Sequence, residues 1–224
     1  EVALVHGFGT SFEATWVGNG WAARLADAGR TVIGVDLLGH GTAEKPTDPD
    51  DDRNLEQWVL DVLPPEPVDG IGFSMGAQVR LWLAAHHSDR FGRLVVSGIG
   101  RNLFESDVGW RPKMVEAVRT GVAVTPELRY FAQLPESPDA DRTALVAFLE
   151  RPDRREFTSE LLAAVTLPVL VVIGGADLAG PADPLVDALP DATLVVLSGV
   201  DHFATPKNLG FIEAALDFIG AQPV

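Results

Sequence analysis

Val68-Asp69-Gly70-Ile71-Gly72-Phe73-Ser74-Met75-Gly76 runs from an apolar stretch, through Gly72-x-Ser74-x-Gly76, into the helix-forming segment Met75 to His87. A serine on a tight strand-to-helix turn has a strained backbone, and the residues two places either side must be small, so glycine at both positions suits the turn. Such a turn lifts the hydroxyl above the sheet edge. The following helix aims its N-terminal amides at the same place, where they favour negative charge.

Working outward, short aliphatic runs recur at Val2–Val5, Thr31–Val35, Leu94–Val96, Val169–Ile173 and Thr193–Leu197. They are too uniformly apolar for half-exposed strands and fit a parallel sheet covered on both faces. Helical patterns lie between them at Trp21–Ala28, Leu55–Leu63, Met75–His87, Pro184–Leu189 and Leu209–Ile219, so the alternation predicts an α/β fold with a mostly parallel sheet flanked by helices. Residues 101 to about 165 break the rhythm with helix-like runs and no convincing strand, and are expected to form a helical cap insertion in a single domain spanning 1–224. Their large apolar side chains, including Leu103, Phe104, Trp110, Met114, Tyr130, Phe131, Phe148 and Phe157, either form the cap's own core or line a cleft. Leu103, Trp110 and Phe131 are the candidate substrate contacts. Asp48-Pro49-Asp50-Asp51-Asp52 reads as an acidic surface loop.

The chain has 224 residues, one domain's worth, with 46% hydrophobic and 22% charged residues and a mean hydropathy of +0.15, as in a folded globular protein. Its 17 Lys and Arg against 32 Asp and Glu give a net charge of −15, which repels nucleic acid and anionic membrane surfaces. There is no cysteine, hence no disulfide, thiolate nucleophile or Cys-based metal site. The most apolar run, Leu167 to Ile173, is far shorter than the ~20 residues of a membrane-spanning helix. The start at Glu1, without Met or a signal-like region, leads us to expect a missing N-terminal portion and a cytoplasmic protein.

A serine hydroxyl needs a base held by a third group. His86 and His87 end a helix and His6 and His40 sit in Gly-flanked turns, whereas His202 follows the last strand and so lies on the rim that carries the serine turn. His202 is the expected base. Val169–Ile173 runs into Gly174-Gly175-Ala176-Asp177, making Asp177 the expected carboxylate that fixes the tautomer of His202. Asp183, Asp187 and Asp201 read instead as solvated carboxylates or helix caps. No histidine pair has the i, i+4 spacing of a helical zinc site, and no metal is expected. The expected oxyanion donors are the N–H groups of Met75 and Phe8, the latter in His6-Gly7-Phe8-Gly9 after the first strand. His6 is read as a brace for that loop, and Asp36 to Gly41 as structural support.

The order Ser74, Asp177, His202, with His6-Gly7 upstream and Gly72-Phe73-Ser74-Met75-Gly76 on its elbow, resembles the α/β-hydrolase superfamily from residue 2 to 219. The Asp36…Gly39-His40-Gly41 turn is similar to one in its esterase, lactonase and C–C hydrolase branches. The resemblance implies a Ser–His–Asp hydrolase without a cofactor. Three departures stand out: the family's leading hairpin is absent, Asp201 precedes the histidine where glycine is frequent, and the link from Asp61 to Val68 is brief. Serine at 74 argues against the dehalogenase and epoxide-hydrolase branches, which attack with aspartate.

The expected reaction is hydrolysis of a small, largely apolar carboxylic ester or lactone through an acyl-enzyme on Ser74. A C–C bond hydrolase or perhydrolase with the same triad is the alternative, and a ligand receptor on this fold the non-enzymatic one. The acidic surface favours neutral or cationic small-molecule substrates over highly anionic ones such as coenzyme A thioesters. The chain carries no sequence signal for an oligomeric state.

Overall fold

The computed structural model describes residues 1–51, 54–105, 109–152 and 155–222. Asp52, at the end of the acidic loop read from the sequence, lies outside them. Six strands, β1 (Val2–Val5), β2 (Val32–Val35), β3 (Val68–Phe73), β4 (Phe91–Ser97), β5 (Val169–Gly174) and β6 (Ala192–Leu197), form one parallel sheet in the order β2-β1-β3-β4-β5-β6. All six sequence-read runs are strands, and β4 extends three residues further back, to Phe91.

Period-two alternation divides the core. Ala3 and Val5 of β1, with Val169, Val171 and Ile173 of β5, face α2 (Leu55–Val62), α3 (Met75–His86), α7 (Ser159–Leu162) and α8 (Asp183–Ala188). Val2, Leu4, Leu170 and Val172 face the other side, where Trp21 and Leu25 of α1 (Trp21–Asp27) and Phe211, Ile212 and Ala215 of α9 (Leu209–Phe218) cover them. Both faces of the central strands are therefore dry, which is why they read as continuous apolar runs, whereas the edge strands β2 and β6, equally apolar in sequence, are partly exposed because each has a neighbour on one side only. The strand order reverses direction at β1, which pairs with both β2 and β3. In an open α/β sheet the crevice beyond the carboxyl ends at such a reversal is the natural ligand site, and the β1 and β3 loops meet there.

Between β4 and β5 the chain forms α4 (Trp110–Thr120), α5 (Pro126–Gln133), α6 (Arg142–Glu150) and α7, with no strand among the described residues. Local chemistry sets these boundaries. Thr125 Oγ1 accepts from Leu128 N–H ahead of Pro126, Asp141 Oδ1 accepts from the N–H groups of Thr143 and Ala144, and Gly121, at φ +73°, ends α4. Val115, Val118, Phe131, Leu145, Val146 and Leu149 form the insertion's own core. Leu103, Phe104, Phe148 and Phe157 instead pack against the sheet's core.

Candidate active site

Ser74 is the one described non-glycine residue with positive φ (φ 52°, ψ −114°), so the strain expected at the elbow is present. Three contacts hold it there. Ser74 N–H donates to Ser97 O at 2.7 Å. A Cβ on Gly72 would press on the backbone of Gly76 and Ala77, and one on Gly76 would collide with the carbonyls of Val5 and His6. The two glycines thus let α3 start directly against β1 and β3.

Asp177 and His202 come together because the loops after β5 and β6 are stitched. Gly175 N–H donates to Leu197 O at 2.7 Å, Ala176 N–H to Val200 O at 3.0 Å, and a Cβ on Gly174 would strike Val200 O. His202 Nδ1–H donates to Asp177 Oδ1 at 2.9 Å and lies 3.1 Å from Oδ2, while Ala179 N–H donates to Oδ1 at 2.8 Å. The Asp177 side chain is fully buried. With Nδ1 carrying the proton, Nε2 is the lone-pair side, and it sits 3.1 Å from Ser74 Oγ. Asp201, one of the three rival carboxylates, caps the next turn by accepting from Ala204 N–H at 2.8 Å.

The loop after β1 lies beside the serine, since a Cβ on Gly7 would stand 3.4 Å from Ser74 Cβ. Neither Phe8 N–H nor Met75 N–H has a hydrogen-bond acceptor among the described residues. His6 braces this loop: its Nδ1–H donates to Gly7 O at 2.7 Å and its Nε2 accepts from Leu37 N–H at 3.1 Å. Burial lowers the His6 pKa, favouring the neutral ring that this pattern requires. Burial also pushes the Asp36 carboxyl up, but N–H donors from Phe12 and Thr42 outweigh it and hold the group below the usual carboxylate value. The Asp36–Gly41 turn is thereby tied to the segment that follows the β1 loop.

A cavity of about 300 Å³ opens above Ser74 and His202. Phe131 lines it, together with Tyr130, Leu134 and Phe203. Leu103 and Trp110 do not: Leu103 packs on the sheet core, and Trp110 meets the edge of Phe131 at 6.1 Å between ring centroids, from within the insertion. Phe203 escaped the sequence reading, although its place directly after the histidine is a signal. It stacks on Tyr130 at 3.7 Å and touches His202 edge-on at 5.2 Å. The polar wall of Thr10, Thr15 and Asn19 was also missed, because Glu13–Val17 forms a short π-helical turn that no ordinary period announces. Buried Trp16, edge-on to Trp21 at 5.1 Å, anchors that turn. Among the described residues no three His, Asp or Glu side chains cluster so as to hold a metal ion, and no helix is long and apolar enough to cross a membrane.

This arrangement can take a proton from a hydroxyl and supply N–H donors to a developing oxyanion. The chain belongs to the alpha/beta hydrolase family, whose sequence profile it matches over residues 2–214. It is 30% identical to a pimeloyl-acyl-carrier-protein methyl ester esterase of Neisseria meningitidis, over 90% of this chain and 70% of that one. It is 29% identical to a 2-hydroxymuconate semialdehyde hydrolase of Pseudomonas putida, over 86% of this chain and 67% of that one. Its fold superposes on the enol-lactonase from Burkholderia xenovorans with a TM-score of 0.73 at 23% identity, covering 98% of this chain and 90% of the other.

Proposed function

We propose that the protein hydrolyses a small, largely apolar carboxylic ester or lactone through an acyl-enzyme on Ser74. The observation that carries this reading is the line of contacts from Ser74 Oγ to His202 Nε2, and from His202 Nδ1 to buried Asp177, at the floor of a partly aromatic cavity. Ser74 Oγ attacks the ester carbonyl carbon and passes its proton to His202 Nε2. The carbonyl oxygen becomes an oxyanion that accepts from Phe8 and Met75 N–H. Asp177 stabilises the imidazolium through Nδ1–H and stays ionised throughout. The tetrahedral adduct collapses, the C–O bond to the alcohol breaks, and Nε2–H protonates the departing oxygen. Water, deprotonated by the same nitrogen, then attacks the acyl-serine and releases the acid, returning the proton to Ser74.

The relatives include an esterase, and the neutral aromatic wall suits an apolar acyl chain. The test is intact-mass analysis after rapid mixing with excess p-nitrophenyl acetate. An acetyl adduct that maps to Ser74 and decays with turnover supports the reading, and an adduct that maps to another residue, or undiminished turnover by Ser74→Ala, contradicts it. The likeness to 2-hydroxymuconate semialdehyde hydrolase favours a second reading, C–C bond cleavage by the same residues, which product analysis distinguishes by the bond broken.

A further inference from the structure

The protein carries almost two acidic side chains for every basic one, yet the wall of its cavity has the opposite character. Among the described residues, no Asp or Glu lines the cavity and Lys207 does. The nearby Asp177 carboxylate is fully buried beneath His202 and engaged by His202 and Ala179. Lys207 has no carboxylate partner among the described residues, in a chain where carboxylates are in excess.

The backbone turn that carries it is held in place. Lys207 ends the short 3₁₀ turn Thr205–Lys207, which begins three residues after His202. Thr205 Oγ1–H donates to Asp201 O at 2.8 Å, and the buried Trp21 indole N–H donates to Pro206 O at 2.8 Å, clamping the turn against the fold. Thr10, Thr15 and Asn19 add polar groups to the lining, while Tyr130, Phe131, Leu134 and Phe203 supply apolar surface. The cavity is therefore two-faced, with the reactive serine at its floor.

Resting on the serine-hydrolase reading above, we infer that Lys207 is a specificity-determining residue that selects substrates bearing a carboxylate remote from the scissile carbonyl. Net surface charge governs the encounter of a ligand with the protein, but the groups lining the cavity govern the bound state. The overall charge of −15 thus points away from anionic substrates, and the local lining points towards a small monoanion with an apolar body. Lys207 is solvent-exposed, so its contribution is that of a single screened ion pair.

The test compares matched esters with and without the carboxylate: p-nitrophenyl hydrogen glutarate against p-nitrophenyl butyrate for the acyl side, and 4-acetoxybenzoate against phenyl acetate for the alcohol side. The readout is the anionic-to-neutral ratio of kcat/KM in wild type, Lys207→Met, Lys207→Glu and Lys207→Arg. In one of the two pairs the ratio falls by about fivefold in Lys207→Met and further in Lys207→Glu, is restored in Lys207→Arg, and the difference shrinks with added salt. Wild-type turnover with no change of ratio in either pair overturns this inference alone. No wild-type turnover of any of the four esters overturns the ester-hydrolase reading, and this inference with it.

Discussion

Gly98 stands against the ring of His202: a Cβ at this position would lie 3.0 Å from His202 Cε1 and 2.6 Å from Phe73 Cε2, and φ is already +69°. The glycine just past β4 thus shapes the space that holds the imidazole over Ser74. Gly98→Ala is expected to displace the ring and lower kcat by up to ~100-fold, since misplacement of about 1 Å can cost that much. Steady-state kinetics beside a thermal melt checks this, and an unchanged kcat would mean that the ring is held elsewhere.

The three residues of the hydrogen-bonded line act as a unit in the proposed mechanism, so their losses do not add. Ser74→Ala and His202→Ala are each expected to lower kcat by roughly 10⁶-fold, and Asp177→Asn by one to two orders less. The double variant Ser74→Ala/His202→Ala should be no worse than either single one. Near-ultraviolet circular dichroism should match wild type in all of them. Asp177→Asn with wild-type kinetics would move the orienting role to another carboxylate.

Arg80, on α3, is wholly buried, and none of its guanidinium nitrogens finds a hydrogen-bond partner among the described residues. It lies over the Phe91 ring at 5.4 Å, and burial pulls its pKa down to about 9. A buried, unpaired cation costs stability that ring contact only partly offsets. Arg80→Met keeps most of the volume and is expected to stabilise the fold by about 1–4 kcal/mol. Chemical denaturation at neutral pH measures this, and a lower midpoint would show that the guanidinium has an effective partner.

His40 makes stability depend on pH. It is buried among His6, Phe8 and Phe148, with Nδ1–H donating to Leu38 O at 3.0 Å, and burial first, then the cost of placing a second charge beside the His6 ring, lowers its pKa from 6.5 to about 3. In that window the unfolded chain binds a proton that the folded chain refuses, so its contribution is intact above pH 6.5 and is lost as pH falls towards 3. The slope for one such proton is ~1.4 kcal/mol per pH unit. His40→Phe should show a shallower fall in unfolding free energy between about pH 6.5 and 4.5 than wild type. Parallel curves would mean that the folded ring protonates readily.

The sheet was legible in the sequence because its central strands are buried on both faces, which leaves strands such as Val169–Gly174 with no polar positions to blur the pattern. The serine turn, His202 and Asp177 were legible for a related reason. A parallel sheet puts every strand's carboxyl end on one rim, so position after a strand carries spatial information. The cavity wall has no such rule. Leu103 and Phe131 look alike in sequence, yet one packs on the sheet core and the other faces the serine, because helix orientation in the insertion is set by tertiary packing. The π-helical turn at Glu13–Val17, which brings Thr15 to the cavity, depends on Trp16 meeting Trp21 and has no local periodicity to read. Net charge carries no information on the cavity wall either, since it sums the whole chain and not the residues that line the cavity.

The most direct test of the central claim is release of p-nitrophenol from acetate, butyrate and octanoate esters near neutral pH, with wild type and Ser74→Ala side by side. The account predicts turnover by the wild type, strongest on the short chains that a cavity of about 300 Å³ admits, and its loss in the variant. Equal rates for the two proteins would contradict it.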